Sequence, residues 1–183
     1  MVNFMLEGTT PLKGYAQRFG DTSLTETVDL SIYSIGLALQ PDAGLASIEN
    51  SLGTKWPATG HSTSNADSSY QMLGLQSDQV FVLSERNATL PELDESAYIT
   101  DQSDSWVGLR IQGGNSLASL ERICPIDLHP QVFSVGCVTR TTMEHLAVII
   151  ICEAQDSYLL LSPTSSAQSF LHAVETSIRN VKG

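Results

Sequence analysis

Positive charge is scarce in this 183-residue sequence: nine lysines and arginines stand against twenty acidic residues, and the formal net charge is −11. The basic residues nowhere form a run. Nucleic acids and anionic membranes are bound by clusters of lysine and arginine that neutralise phosphates, so both partner classes are excluded. The acidity is concentrated early, since residues 1–105 hold 14 acidic and 4 basic residues, whereas residues 106–183 hold 6 and 5.

Cysteine is rare as well, and no C-x-x-C pair occurs. The three cysteines are an odd number, which is typical of a protein in a reducing compartment. Cys124, His129 and Cys137 lack the paired spacing of structural zinc sites, so we expect no metal on the chain. No apolar run is long enough to span a bilayer, and the first residues do not read as a signal peptide. We therefore expect a cytoplasmic location.

Complete catalytic and cofactor-binding motifs are also missing. The sequence contains no G-x-S-x-G, no G-x-G-x-x-G and no G-x-x-x-x-G-K-[ST]. Gly113-Gly114-Asn115-Ser116 opens a predicted helix, where the amides either bind an anion or make a tight turn, and we favour the turn. The sequence thus predicts no catalytic, cofactor-binding or metal-binding residue on this chain.

An internal duplication organises what is present. Residues 36–49 and 108–121 share Gly, Leu, Gln, Leu-Ala-Ser and Glu at an offset of 72, and residues 78–84 match 156–162 at an offset of 78. In each copy, alternating apolar residues predict a strand, and apolar residues at i, i+3 and i+7 then predict a helix. Two strands joined by a short turn follow, and a second helix closes the copy.

The predicted fold is α+β, built from duplicated βαββα units whose helices pack on mainly antiparallel sheets. The hairpin strands are expected at 70–75 and 79–83 in the first copy, and at 145–152 and 157–161 in the second. The second of these pairs opens with a nearly continuous apolar run, which indicates a central strand covered on both faces.

The closing helices are predicted from capping-box spacing. In the second copy the box runs from Ser165 to Gln168. In the first copy it starts at Thr89, and Leu93 and Ala97 form the apolar side of a shorter helix. An acidic segment then connects the two copies, with Glu92, Asp94, Glu95, Asp101 and Asp104.

The predicted division of the chain has three parts within one compact domain. Residues 1–27 are expected to form an irregular N-terminal arm, residues 28–100 the first copy and residues 101–183 the second. Such an arm either frays or is ordered by a partner.

The segment from Cys124 to Phe133 reads C-P-I-D-L-H-P-Q-V-F, and its two prolines predict a stiff loop. Asp127 and His129 either form a proton relay, or Asp127 caps backbone amides while His129 packs on Pro130. We favour the second interpretation because no nucleophile lies nearby in the sequence.

A stiff loop has few rotamers to freeze and is suited to contact another protein. Trp56, Trp106 and Phe133 are each expected in the core. Of the three, Trp56, beside Pro57 in a Gly/Ser-rich loop, is the best candidate for an exposed anchor of the same kind. The predicted partner-contact residues are Trp56, Asp127, His129 and Phe133.

The order of short motifs resembles a known family, the gamma subunit of bacterial heterotetrameric sarcosine oxidase. The matching residues are Thr10-Pro11-Leu12, Leu52-Gly53, Trp56-Pro57, the string from Leu73 to Asp78, the string from Cys124 to Pro130, Phe133 and Gly136. The stretch C-P-I-D-L-H-P is the most specific part. The chain departs from the family pattern at Gln76 to Val80 and at Thr164 to Ala167, so an arginine contact made by relatives there does not carry over.

The resemblance implies a fold similar to the folate-binding aminomethyltransferases. It also implies an accessory role in a four-chain complex with alpha, beta and delta subunits. That complex oxidises sarcosine to glycine, forms hydrogen peroxide and passes the one-carbon unit to tetrahydrofolate. The implied cofactors are FAD, FMN, NAD, tetrahydrofolate and zinc, all on the partner chains. The alternatives are a stand-alone folate-binding aminomethyltransferase-like protein and a homo-oligomeric scaffold.

Overall fold

The computed structural model describes residues 9–37, 41–85, 88, 90–93 and 97–181. These residues form eleven strands and three α-helices. The strands are β1 Ala16–Phe19, β2 Thr22–Thr27, β3 Leu30–Leu37, β4 Ser62–Ser64, β5 Tyr70–Gly74, β6 Gln79–Glu85, β7 Ala97–Asp101, β8 Trp106–Gln112, β9 Val138–Met143, β10 Leu146–Ala154 and β11 Ser157–Pro163. The helices are α1 Pro41–Leu52, α2 Ser116–Glu121 and α3 Ala167–Asn180.

The strands form two antiparallel sheets with one repeated topology. The first copy supplies the order β4-β5-β6-β3, and the second copy supplies the equivalent order β9-β10-β11-β8. In both copies a helix follows the first strand, as the offsets of 72 and 78 residues predict. The α+β fold class with duplicated units on antiparallel sheets is therefore confirmed, but three strands follow the first helix of each copy where two were predicted, because β4 and β9 come before the predicted hairpins.

Each sheet is extended by a strand that comes from outside its own copy. Strand β2, which precedes the first copy, pairs with β8 of the second, so that Leu24 lies opposite Ile111. Strand β7, which precedes the second copy, pairs with β3 of the first, so that Ile99 lies opposite Ile35. The two copies thus exchange strands, and the predicted boundary after residue 100 falls inside β7.

The core has three layers because the strands alternate between two buried faces. In β10, Val148 and Ile150 point towards α2 and α3. Ile149 and Ile151 point towards the other sheet and pack on Phe81. A third cluster packs α1 on the opposite face of the five-stranded sheet. The prediction that β10 is covered on both faces is confirmed.

Helix α3 completes the second copy. Phe170, Val174 and Ile178 are buried in the face that covers the six-stranded sheet. Full burial of one such aromatic or aliphatic side chain stabilises the fold by about 1.5–3 kcal/mol. No helix among the described residues has the length and apolar character needed to cross a membrane.

The N-terminal part is more regular than predicted. Residues 1–8 lie outside the described residues, but residues 16–27 form the hairpin β1–β2, which continues the six-stranded sheet. The expectation of an irregular arm is wrong for this hairpin. Local patterning does not reveal the pairing of β2 with β8, because the two strands lie more than 80 residues apart in the sequence.

Glu26 fastens the turn that precedes the hairpin. Its carboxylate is buried and accepts hydrogen bonds from the backbone N–H of Leu12 at 2.9 Å and of Gly14 at 2.7 Å. The Thr10 hydroxyl donates a third hydrogen bond at 2.8 Å. Leu12 itself is buried in the core. Hydrogen bonds to Glu26 therefore hold the Thr10-Pro11-Leu12 motif in place.

Two predicted helix starts differ from the structure. In the first copy Thr89 lies outside the described residues, the described residues 90–93 are not helical, and Ala97 begins strand β7. The closing helix predicted there is wrong for these residues. In the second copy α3 exists, but a 3-10 turn spans residues 164–166 and no side chain caps the helix. The predicted capping box does not form.

The three cysteines are unpaired and buried in the core. Burial raises the pKa of the Cys152 thiol, and the neighbouring Cys137 raises it further. The thiolate is the reactive form, so both burial and the raised pKa slow the reaction of Cys152.

We expect all three thiols to react with a disulfide reagent such as DTNB at pH 8 at least about 100-fold more slowly in the native protein than in urea. The measurement is the release of thionitrobenzoate against time. A thiol that reacts in the native protein at its rate in urea would contradict the burial described here.

Candidate partner-contact surface

The loop between α2 and β9, residues 122–137, is anchored in the core by its own apolar side chains. Cys124, Leu128 and Phe133 are buried in the core beneath it. Val132 and Val135 point the other way and are 62% and 60% exposed. The loop therefore has an inner face that anchors it and an outer face that presents apolar groups to solvent.

Hydrogen bonds within the loop give it a fixed shape. The Asp127 carboxylate accepts the backbone N–H of His129 at 2.9 Å. The His129 Nδ1 atom accepts a hydrogen bond from the backbone N–H of Gln131 at 3.3 Å. The backbone carbonyl of His129 accepts the N–H groups of Val132 and Phe133 at 2.8 and 2.9 Å. The carboxylate thus bonds to a backbone amide and not to the imidazole, as in the favoured interpretation. These contacts make Asp127 and His129 structural elements of the loop, and no proton relay follows from them.

The second loop, residues 53–61 between α1 and β4, carries Trp56. Its backbone N–H donates to Glu49 at 2.9 Å, and the Lys55 ammonium bonds the same carboxylate at 2.6 Å. The hydrogen bond from Lys55, followed by that from Trp56, lowers the pKa of Glu49. The indole of Trp56 is half-buried against the face covered by α1. Trp56 is therefore partly available to a partner, less than predicted.

Backbone hydrogen bonds join these two loops, which we call the junction loops, residues 53–61 and 122–137. The N–H of Ser62 donates to the Gly136 carbonyl at 2.7 Å, and the N–H of Val138 donates to the Gly60 carbonyl at 2.8 Å. A β-bridge links His61 and Cys137 between these bonds. The edges of the two sheets therefore meet here, and residues 60–62 and 136–138 join the two loops.

Gly74 makes this junction possible. It is bonded on both sides, since its N–H donates to the His61 carbonyl at 2.9 Å and its carbonyl accepts the Gly60 N–H at 2.8 Å. A Cβ atom at this position would lie 2.4 Å from the Ala58 carbonyl oxygen. No side chain fits between Gly74 and the Ala58 carbonyl group. This close approach explains the glycine of the Leu73-Gly74 motif.

The residues that carry the family resemblance converge at the junction. Most of the matching motifs lie in or against the junction loops: Leu52-Gly53, Trp56-Pro57, Leu73-Gly74, the string from Cys124 to Pro130, Phe133 and Gly136. They are far apart in sequence and have no local reason to occur together. Several of these motif residues are buried, so the motifs set the packing that supports the junction loops; the buried ones are Pro57, Leu73, Gly74, Cys124, Leu128 and Phe133.

The predicted contact residues are thus only partly where the sequence placed them. Asp127 and His129 are exposed, and Trp56 is half-buried. Phe133 is 7% exposed and belongs to the core, so its prediction as a contact is corrected: it supports the loop. Val132 and Val135 were missed, although two valines flanking a buried phenylalanine in a non-helical segment are the signal that could have identified them.

The glycine-rich turn at residues 113–114 is a tight turn and not an anion site. Gly113 has φ +121°, and a Cβ atom there would lie 2.3 Å from the Asp21 carbonyl oxygen. The Asp21 carboxylate lies against Gly114 and accepts the Asn115 side-chain N–H at 3.4 Å. The negative group at this helix start is therefore the chain's own. Among the residues that the structure describes, no group of three or more potential ligands is arranged for a metal ion.

A polar cleft of about 700 Å³ opens between the two sheets near the β2–β3 connection. Its cationic group, Arg110, donates to both oxygens of Glu153 at 2.7 and 2.9 Å. Glu26 also borders the cleft and is the one carboxylate that is buried within the described part of the chain, but its oxygens are engaged by the N-terminal turn. Glu26 and Glu153 are thus already paired within the chain, whereas Asp29 and Glu85, which also border the cleft, are exposed.

The comparisons with known proteins agree with the resemblance found in the sequence. No family model matches the chain. A sarcosine oxidase subunit gamma from Corynebacterium sp. (strain P-1) is 24% identical over 185 residues, which cover 93% of this chain and 91% of that protein. The subunit gamma of Corynebacterium sp. (strain U-96) is 24% identical over 145 residues, which cover 75% of this chain and 71% of that protein.

Two solved structures share the fold. A chain of the heterotetrameric sarcosine oxidase from Corynebacterium sp. U-96, in complex with pyrrole 2-carboxylate, superposes with a TM-score of 0.79 at 22% identity over 86% of this chain and 84% of that one. The glycine cleavage system aminomethyltransferase T from Bartonella henselae gives a TM-score of 0.67 at 9% identity, over 91% of this chain and 56% of that one. The resemblance to sarcosine oxidase gamma subunits and the aminomethyltransferase-like fold are confirmed.

Proposed function

We propose that this chain is the gamma subunit of a heterotetrameric sarcosine oxidase and acts in the cytoplasm. The observation that carries the proposal is the similarity to curated gamma subunits over 93% of the chain. The matching motifs gather at the junction loops, and many of them occupy buried positions that set the shape of these loops.

In this proposal the chemistry takes place on the alpha, beta and delta chains. In such a complex a flavin would supply the two-electron oxidation of the N-methyl group of sarcosine, with dioxygen reduced to hydrogen peroxide, and tetrahydrofolate would take up the one-carbon unit, leaving glycine. FAD, FMN, NAD, tetrahydrofolate and zinc belong to those chains. The present chain is non-catalytic and contributes to assembly.

The contact surface proposed for the partner chains is the outer face of the junction loops. In this proposal Asp127, His129 and the half-buried Trp56 belong to the contact surface, and the buried Phe133 supports it from inside. Val132 and Val135 supply its apolar centre. Because the loops are already fixed by hydrogen bonds, docking on them costs little conformational entropy.

Replacing Val135 by glutamate is expected to weaken the assembly roughly 30-fold or more, because a charge would be buried without a partner. The matched control is Ala16→Glu, an equally acidic change at an exposed position in β1. The measurement is co-purification with the partner chains from the native host, followed by the visible spectrum of the eluate.

The wild-type chain and Ala16→Glu should elute with three further chains, a flavin spectrum and sarcosine-dependent bleaching. Val135→Glu should elute without flavin while its circular dichroism stays native. A colourless wild-type eluate that holds this chain alone would overturn the proposed function. Equal flavin content in all three eluates would overturn the contact surface only.

The alternative function is a stand-alone folate-binding protein of the aminomethyltransferase type, which the shared fold favours. Such a protein needs a free acidic group to bind the pterin in a central cavity. Of the four acidic residues that border the cleft, Glu26 and Glu153 are paired within the chain, and Asp29 and Glu85 are exposed at its surface. Isothermal titration with tetrahydrofolate decides the matter: micromolar binding to the isolated chain would favour the alternative.

A further inference from the structure

The four sheet edges are not equally protected against pairing with another strand. Strand β1 has four residues and carries Arg18, β4 has only three residues, and β9 carries Arg140 among threonines. Short length and basic side chains are the usual means by which proteins block an edge. Strand β7 ends the five-stranded sheet with five residues, no basic side chain and no proline.

The outer backbone groups of β7 are unpaired among the described residues. The N–H of Gln102 donates to the Ile32 carbonyl at 2.7 Å, so Gln102 faces β3. In an antiparallel pair the backbone groups alternate in direction. Thr100 and Tyr98 therefore face β3, whereas the N–H and carbonyl groups of Ile99 and its alternate neighbours face outwards, where no described residue bonds them.

Two large apolar side chains are exposed on the same strand. Tyr98 is 68% exposed and Ile99 is 42% exposed. Tyr98 lies opposite Gly36, where a Cβ atom would find no heavy atom within 4 Å, so the surface beside the ring is open. A strand that added to this edge would cover both side chains.

The charge around β7 indicates what kind of strand fits. Residues 88–105 contain five acidic residues and no lysine or arginine. Asp101 lies in β7 itself, and hydrogen bonds from Ser103 lower the pKa of its carboxyl group, which therefore stays ionised at neutral pH. A second copy of this chain would bring the same acidic segment against itself and is disfavoured. A basic segment would be attracted.

We propose that β7 receives an extended, basic segment of a partner polypeptide, which adds to the five-stranded sheet as a sixth strand. Main-chain hydrogen bonds to Ile99 and its alternate neighbours hold the segment, and Tyr98 and Ile99 pack against its side chains. This surface is separate from the junction loops. The inference rests on the proposed function only for the identity of the partner.

The first test is hydrogen exchange of the Ile99 amide, which compares the isolated chain with the assembly purified from the native host. Strand addition should slow the exchange at least about 100-fold, because the outward N–H gains a hydrogen bond. A sarcosine oxidase assembly in which Ile99 exchanges as fast as in the free chain would overturn the inference and leave the proposed function standing. If Ile99 is protected in an assembly of other composition, the proposed function is overturned and the strand addition stands. A chain that elutes alone would overturn both the proposed function and the strand addition.

The second test identifies the occupant. Tyr98 is replaced by the photoreactive p-benzoylphenylalanine, and Ala16 of the β1 edge carries the same probe as a control. Irradiation of the assembly should trap, at Tyr98 only, a partner peptide with lysine or arginine close to the attachment point. A peptide of this chain itself, an acidic peptide, or equal trapping at both positions would overturn the proposal.

Ile99→Lys should weaken the same assembly at least tenfold, since it places a basic group where the basic segment docks, and raising the salt concentration should weaken the wild-type assembly as well. Ala16→Lys is the matched control and should have no effect. Equal affinity of Ile99→Lys and Ala16→Lys would contradict strand addition at β7.

Discussion

Replacing Gly74 by alanine is expected to lower the free energy of unfolding by about 3 kcal/mol, among the larger effects of single substitutions. The added methyl group would lie 2.4 Å from the Ala58 carbonyl oxygen and 3.1 Å from that of His61. Both obstacles are backbone atoms, and Gly74 is bonded to the same segment through its own N–H and carbonyl groups. The strand cannot move away without breaking these bonds, so the loop around Ala58 must move.

The matched control is Gly36→Ala, a change of the same kind in β3 of the same sheet. No heavy atom lies within 4 Å of a Cβ atom at Gly36. This variant should differ from the wild type by no more than about 0.5 kcal/mol. Urea unfolding followed by circular dichroism measures both. If Gly74→Ala unfolds at the same urea concentration as Gly36→Ala, the close approach is not a constraint on the fold.

Gly74→Ala also allows an effect on the assembly to be separated from an effect on stability. The displaced loop is hydrogen-bonded to residues 136–138, so both junction loops should shift together. At a temperature where the variant is still folded, it should bind the partner chains more weakly than its stability alone would require. Gly36→Ala should assemble normally.

Replacing Glu26 by glutamine is expected to lower the free energy of unfolding by about 2–3 kcal/mol, because two backbone N–H groups and a hydroxyl lose a charged acceptor. A glutamine amide has one oxygen and one NH₂ group, so at least one donor would face another donor. The turn at residues 10–14 should then detach from the hairpin. The buried Leu12 side chain would lose its place with it.

Trypsin measures this detachment, because Lys13 lies inside the fastened turn. Cleavage after Lys13 should be at least about tenfold faster in Glu26→Gln than in the wild type, since cleavage requires local opening. The control is Asp29→Asn, which removes the same charge from an exposed position three residues later. Equal cleavage rates in the two variants would show that the carboxylate does not hold the turn.

The duplicated architecture could be predicted because its signals are local. The alternation at Val107, Leu109 and Ile111, and the apolar run that became β10, both report burial directly. The failed prediction in the first copy shows the limit of such signals. Leu93 and Ala97, the predicted apolar side, do pack against the core together with Leu90, but not as a helix. A few apolar positions predict which residues are buried. They do not predict the backbone conformation that buries them.

The candidate surface could be predicted only in outline. Two prolines identified a stiff loop, and Asp127 and His129 are exposed on it. The burial of Phe133 and the exposure of Val135 depend on which side of the loop meets the core, and that is decided by contacts with distant strands. The joining of the junction loops has no signal in either segment, since it arises from the meeting of two sheet edges.

The exchange of β2 and β7 between the copies has a consequence for the origin of the chain. Two identical subunits, each lending its first strand to the other, would form a symmetric dimer in which neither subunit is complete alone. Joining two such genes end to end gives a single polypeptide with the observed pairing of β2 with β8 and of β7 with β3. The ancestor implied by this arrangement is a strand-swapped homodimer, and gene fusion then freed its two halves to diverge.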